Sequence, residues 1–306
     1  MSDRILLEGN DPAIRAAVER RAGTVLPWAA PGEEARATVW FCPGNPPAEA
    51  RELPALHWIQ TGWAGVEGWF GRPEWREGVL LTRTVGDFPQ RIAEYVIGYL
   101  LADALGVPEA LRQMESRAWK RWTPGSLAGR SMLVVGHGAI GRRVAEAARG
   151  LGMSSRGIRR GPLSPEDLAL GVEEASALEA LLPAADVVVN LLPLTAATRS
   201  FWNAARLDRM KEGSTFVNVS RGATVDDDAL IAALARRRPA RAILDVFRDE
   251  PLPAAHPLRG ATGVWVTPHV AGIGTAEPLA AEFAANWLRY KDGAPLRHRV
   301  DRARGY

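Results

Sequence analysis

The run Gly136-His137-Gly138-Ala139-Ile140-Gly141 constrains the fold more than any other stretch of this 306-residue chain. It directly follows an apolar strand, Met132-Leu133-Val134-Val135, and opens a helix whose Ile140, Val144 and Ala148 share one face. Gly136 suits a tight turn, Gly138 lets the backbone approach a pyrophosphate, and Gly141 lets the helix pack closely on the strand. The N–H groups that begin the helix would face the anion. The pattern predicts a dinucleotide site in a parallel α/β domain, with His137, Ala139 and Ile140 in the loop that holds it. A glycine turn with no ligand is the plain alternative.

Short β-branched runs alternate with amphipathic helices on both sides of that motif, the pattern of α/β domains with parallel sheets. Ile5-Leu6-Leu7, Thr38-Val39-Trp40-Phe41, Leu56-His57-Trp58-Ile59 and Val79-Leu80-Leu81 read as strands before it. A long helix from about Arg91 to Leu105 and a loop through Trp119, Trp122 and Pro124 follow them. Beyond the glycine motif, strands are expected at 187–189, 216–219, 242–244 and 264–266. The last helix, from about Ala276 to Arg289, places Leu279, Phe283 and Trp287 on one stripe, with Gly293 as its stop. The length suits two lobes.

Charge and composition narrow the function. Lys and Arg number 38 against 35 Asp and Glu, a net +3, and the arginines are spread along the chain with acids between them. A nucleic-acid binder would gather them on one face, so no nucleic-acid partner is expected. Arg236-Arg237-Arg238 closes a helix that opens with Asp226-Asp227-Asp228, which complements the helix dipole. Cys42 is the single cysteine, the start lacks a basic run before an apolar signal core, and no stretch reaches roughly 18 apolar residues. A cytoplasmic protein without membrane attachment is expected. His57, His137, His256 and His298 are scattered without ligand spacing, so no metal is expected. Neither a Gly-x-Ser-x-Gly elbow nor a Walker lysine loop is present.

An NAD-selecting fold places an acid about 20 residues beyond the glycine turn, where it meets the adenosine ribose. Here Gly157-Ile158-Arg159-Arg160 stands in that place, with two guanidiniums and no acid. Arginine pairs with a ribose 2′-phosphate that an aspartate would repel, so NADP is the expected cofactor and NAD the lesser one. A solvated loop is the alternative reading, and Ser154-Ser155-Arg156 before it makes a poor strand.

Three further residues follow strands of the second series: Arg221, Glu250 and His269. In an open parallel sheet all such ends face one crevice, shared with Gly136 and with Leu192-Pro193. A cation, a carboxylate and an imidazole beside a nicotinamide suit hydride transfer to a 2-oxo acid. Arg221 would hold the substrate's carboxylate or carbonyl oxygen with its fork of donors. His269 would exchange a proton with the carbonyl oxygen, and Glu250 would orient its ring and favour its protonated form. Singly, each residue also reads as a surface or turn residue. The joint pattern with the glycine motif favours chemistry.

These residues resemble the D-isomer-specific 2-hydroxyacid dehydrogenase family over nearly the whole chain. The resemblance includes Ala64-Gly65-Val66-Glu67, Ala93-Glu94-Tyr95-Val96, Gly136 to Gly141, Asn190 to Thr195, Asn218 to Gly222, Leu244 to Phe247 with Glu250-Pro251, and Thr267-Pro268-His269. The ending Val300 to Tyr306 is similar to that of the glyoxylate/hydroxypyruvate reductase A branch. The resemblance implies two Rossmann-like lobes with parallel sheets, the cofactor lobe (96–270) inserted into a substrate lobe made of 1–95 and 271–306. It implies a homodimer built largely on the cofactor lobes and a D-configured product from a small 2-oxo acid such as glyoxylate or hydroxypyruvate. Backbone N–H groups at Ala64 and Gly65 would hold the substrate carboxylate, with Trp40 and Trp63 at the pocket. The expected cofactor set also takes in Leu192, Pro193, Thr198, Val219, Ser220 and Asp245, with His269. Trp63 and Glu67 stand where the family commonly has Gly and Asp. The competing reading is a cofactor-sensing, corepressor-like binding protein of the same fold. Formate oxidation is disfavoured because Glu250 stands where formate enzymes typically have Gln.

Overall fold

The structure, a computed structural model, describes residues 3–305, so Met1, Ser2 and Tyr306 of the two ends read above lie outside it. Along the chain run β1 (Ile5–Leu7), α1 (Pro12–Ala22), β2 (Val39–Cys42), β3 (Trp58–Thr61), β4 (Leu80–Thr82), α2 (Phe88–Leu105) and α3 (Val107–Ser116). Then follow β5 (Ser131–Val135), α4 (Ala139–Gly150), β6 (Ser154–Arg159), α5 (Pro165–Ala169), β7 (Val172–Glu174), α6 (Leu178–Leu181) and β8 (Val187–Asn190). The chain ends through α7 (Ala204–Asp208), β9 (Thr215–Asn218), α8 (Asp227–Ala235), β10 (Arg241–Leu244), β11 (Val264–Val266) and α9 (Ala276–Lys291). Two compact units result: one runs to Phe88 and resumes at Gly274, and the other is Pro89–Ile273. Both seams lie a few residues from those expected at 95 and 270. The unbroken helix α2, which starts at Phe88, carries the first.

The first unit is a four-stranded parallel sheet in the order β1-β2-β3-β4. Its strands are buried on both faces, so they read as continuous apolar runs. Side chains alternate: Val39 and Phe41 join Trp58, Phe283 and Trp287 in one cluster, whereas Trp40 and Cys42 join Leu56, Trp69 and Trp75 in the other. Phe283 stacks on Phe41 at 4.3 Å and on Trp58 at 5.3 Å between ring centroids. The stripe of α9 thus docks on the first sheet, beside α1. That return of the last helix is a property of tertiary packing which its periodicity did not predict. α1 itself carries local signals: Asp11 accepts the Ala13 N–H, Pro12 is at the first position, and Gly23 ends it in the left-handed region.

The second unit has seven parallel strands in the order β11-β10-β9-β8-β5-β6-β7. Chain order reverses between β5 and β8, which is where such sheets leave a crevice for ligands. Ser154-Ser155-Arg156, read above as a poor strand, does begin β6. Pairing of these three residues with Ser131, Met132 and Leu133 of β5 outweighs their propensity; β7 pairs only from Gly157 onward, and only Gly157 and Ile158 of the strand are buried. The acid-to-base polarity of α8 also holds: Asp226 caps it, and beyond its end Arg236 and Arg238 pair with Asp208 and Glu212. Among the described residues no helix is long and apolar enough to cross a membrane. No group of three or more metal-ligating side chains occurs among them.

Candidate active site

The carboxyl ends of the second unit's strands bring together Gly136, Arg159, Leu192, Arg221, Glu250 and His269, as their spacing in the sequence implied. Gly136 has φ of +105°, and a Cβ there would lie 2.6 Å from the Leu191 carbonyl oxygen. A Cβ on Gly141 would lie 2.7 Å from the Gly136 carbonyl oxygen, so α4 could not approach the turn with any larger residue. Gly138 faces open space and precedes α4 as a cap without a side-chain acceptor. The N–H groups of Ala139, Ile140 and Gly141 therefore lack helical partners at an open surface, which fits a pyrophosphate. The loop fits the dinucleotide its motif implied.

His137 belongs to this loop but turns away from the opening. Its ring is buried against β6, where a Cβ on Gly157 would lie 2.4 Å from His137 Cδ2. Burial holds the imidazole below the ordinary histidine range. Its side chain is thus a packing element and not the cofactor contact expected above. Arg159 ends β6 and gives Nη1 to Asp167 Oδ2 at 3.0 Å. Asp167 also accepts from the Ser164 N–H and hydroxyl in a capping box that starts α5. The guanidinium at the expected cofactor position is therefore anchored by an acid eight residues further on, which the sequence reading did not foresee. Arg160 follows directly at the same sheet edge.

His269 Nδ1 lies 2.7 Å from Glu250 Oε2. Glu250 is fixed in turn, because its Oε1 accepts the Phe247 N–H at 2.8 Å. With Nδ1 committed to the carboxylate, Nε2 has no partner among the described residues, and the ring is 44% exposed. An imidazole held this way can pass a proton through Nε2. Arg221 follows β9, and its loop is pressed against the segment leading to Glu250: a Cβ on Gly222 would lie 1.8 Å from the Phe247 carbonyl carbon.

Several residues expected at the cofactor are spent within the protein. Asp245 is 1% exposed and accepts from the Thr267 hydroxyl and the Val270 and Ala271 N–H groups. It builds the turn that presents His269. The Ser220 hydroxyl donates to Asn218 Oδ1 and accepts from Asn190 Nδ2, in a buried network that supports the Arg221 loop. Thr198 Oγ1 donates to the Pro193 carbonyl and accepts the Thr195 N–H, which closes the turn after Leu192. Val219 is buried. Asn190 and Asn218, which enter the sequence reading only as part of the family motifs with no role assigned, and Thr224, whose hydroxyl donates to the Arg221 carbonyl, complete this network. Buried polar residues at strand ends were the available signal.

In the first unit, Ala64 and Gly65 follow β3, and among the described residues their N–H groups have no acceptor. Arg83, just past β4, gives Nη1 to the Ala64 carbonyl at 3.4 Å. Trp63 is half-buried beside them. Trp40 departs from expectation. It is fully buried, bonded through Nε1 to Glu8 and edge-on to Trp69. An inward position on a strand covered on both faces makes it core and not pocket wall.

Residues 97–271 match the family model described as D-isomer specific 2-hydroxyacid dehydrogenase, NAD binding domain. The chain is 36% identical over 229 residues to a glyoxylate reductase of Korarchaeum cryptofilum, covering 71% of this chain and 68% of that one. It matches a D-isomer specific 2-hydroxyacid dehydrogenase of Xanthobacter autotrophicus Py2, solved with NADPH and MES, at TM-score 0.86 and 30% identity over 99% of both chains. It matches an NADPH-dependent glyoxylate/hydroxypyruvate reductase of Sinorhizobium meliloti, solved with NADP and sulfate, at TM-score 0.84 and 26% identity over the whole of both. The chain belongs to the D-isomer specific 2-hydroxyacid dehydrogenase family, NAD(P)-dependent oxidoreductases of two Rossmann-like domains.

Proposed function

We propose that this protein reduces small 2-oxo acids, with glyoxylate and hydroxypyruvate the best candidates, to D-2-hydroxy acids. In this reading it prefers NADPH to NADH and works in the cytoplasm as a homodimer. The observation that carries the reading is the Glu250–His269 pair, which leaves Nε2 open at the sheet edge that also carries the uncapped start of α4. A bound nicotinamide dinucleotide would supply the hydride. Its pyrophosphate would be held by the N–H groups of Ala139, Ile140 and Gly141, and its 2′-phosphate by Arg159 and Arg160. Arg221 would grip the substrate's oxygens, and the N–H groups of Ala64 and Gly65 would take its carboxylate. His269 Nε2 would give its proton to the carbonyl oxygen as the carbon is reduced. Glu250 would hold the ring in place.

The test follows NADPH absorbance with a panel of 2-oxo acids, for the wild type and for His269→Ala. The variant is expected to lose about 10²- to 10⁴-fold in kcat, the usual scale for a general acid. Its NADPH affinity should stay unchanged. Near-wild-type turnover in His269→Ala would remove the acid–base assignment. NADPH binding without turnover of any acid by the wild type would favour the corepressor-like alternative.

A further inference from the structure

The His269 turn is held from behind by a chain of hydroxyls that begins on another element. Tyr95, in the second turn of α2, places its phenolic oxygen 2.6 Å from Thr267 Oγ1. Thr267 Oγ1 lies 2.6 Å from Asp245 Oδ1. A threonine hydroxyl has one hydrogen, and a carboxylate only accepts. Thr267 therefore donates to Asp245, and Tyr95 must donate to Thr267. The direction of both bonds is fixed by that count. Burial pushes the Tyr95 phenol far above its ordinary range, so it keeps the proton it donates.

Asp245 in turn takes the Val270 N–H at 2.8 Å and the Ala271 N–H at 2.9 Å, while its own carbonyl takes the His269 N–H at 2.9 Å. His269 sits at φ of +54°, a left-handed conformation that a residue with a Cβ adopts only when its surroundings impose it. The constraint is visible here: one buried carboxylate grips the backbone on the far side of the histidine, and its residue's carbonyl grips the histidine itself. Aligned hydrogen bonds strengthen one another, so a donor at the head of the chain affects the acceptor at its foot.

We propose that Tyr95 is a positioning residue for the acid–base step, acting through Thr267 and Asp245 to hold His269 in its turn. The inference rests on the reductase reading for its kinetic consequence, but not for its structural one. Tyr95→Phe removes one oxygen and keeps the ring that packs on Tyr99 at 4.4 Å between centroids. Thr267→Val removes the middle hydroxyl at nearly constant volume, and Thr267→Ser restores it.

With NADPH and glyoxylate as probes, Tyr95→Phe and Thr267→Val should each lower kcat by about ten-fold, the effect of losing one good hydrogen bond. KM for glyoxylate and the NADPH dissociation constant should stay within about two-fold, and Thr267→Ser should recover most of the rate. The double variant should be no slower than the slower single one, because both break the same chain. Amide exchange at Val270 and Ala271 should quicken in both single variants. A kcat for Tyr95→Phe within about two-fold of wild type, or losses that multiply in the double variant, would overturn the proposal. If the wild type reduces no 2-oxo acid, the reductase reading fails, and the exchange measurement still decides: unchanged protection at Val270 and Ala271 overturns the brace.

Discussion

Replacing Arg159 with Ala isolates the group on which NADPH preference rests. A hydrogen bond between charged partners contributes about 1.5–3 kcal/mol, and about 1.4 kcal/mol is ten-fold in affinity. A guanidinium with every donor free would thus give one to two orders of magnitude toward a 2′-phosphate. Arg159 is not that free. Its Nη1 is committed to Asp167 at 3.0 Å, and the acid's charge offsets part of the field a phosphate would feel, while the side chain as a whole is 43% exposed. The lower end, about ten-fold, is the expected effect. The measurement is kcat/KM for NADPH and for NADH at fixed glyoxylate, in wild type, Arg159→Ala and Asp167→Asn. Arg159→Ala should lower the NADPH value about ten-fold and leave NADH within about two-fold. Asp167→Asn should move the ratio the other way, because it removes an anion and keeps an oxygen acceptor for Ser164. Added salt should weaken NADPH more than NADH, since an exposed pair is screened. A cofactor ratio unchanged in both variants would show that neither side chain senses the phosphate.

Glu250→Gln should cost less rate than His269→Ala, because the amide oxygen can still accept from Nδ1 and hold the ring. Steady-state kcat for the two variants checks this, and equal losses would show that Glu250 does more than hold the ring. Burial pushes the Cys42 thiol up to about 12, so it should resist a thiol reagent at mildly alkaline pH and react only once urea unfolds the first unit. The proposed homodimer would use α3 and the segment after it, where Leu111, Met114 and Trp119 are all exposed, Trp119 at 96%. Light scattering should give a dimer mass for wild type and a monomer mass for Met114→Glu, and an unchanged mass would place the interface elsewhere.

Much of this molecule was legible because its signals are local. The glycine run needs only its neighbours to specify a turn, and strands such as Val187-Val188-Val189 announce double burial by composition alone. The site was legible where residues directly follow strands, since parallel topology then brings their ends to one edge. What escaped is what only three-dimensional pairing decides. Ser154-Ser155-Arg156 is strand because β5, over 20 residues earlier, pairs with all three. Asp245 and Ser220 lie in sequence where a cofactor contact is expected, yet their oxygens are claimed by Thr267 and Asn190, which are 22 and 30 residues away. Trp40 went the same way: its apolar run is legible as buried strand, but only the fold shows that its ring packs on Trp69 and bonds Glu8 instead of lining a pocket.

The wedge of His137 against Gly157 bears on how this protein could change over time or be redesigned. One residue lies in the glycine loop and the other on the neighbouring strand, so they would be treated as separate choices by anyone altering cofactor use. They are one choice. With 2.4 Å between His137 Cδ2 and the place a Cβ would occupy, even alanine at 157 requires a smaller side chain at 137 first. Exchange at 137 alone is open in the other direction, because removing the ring leaves space that a methyl group at 157 could refill. A lineage, or a mutant library, can therefore travel from His–Gly to small–Ala by one order of steps and not by the other.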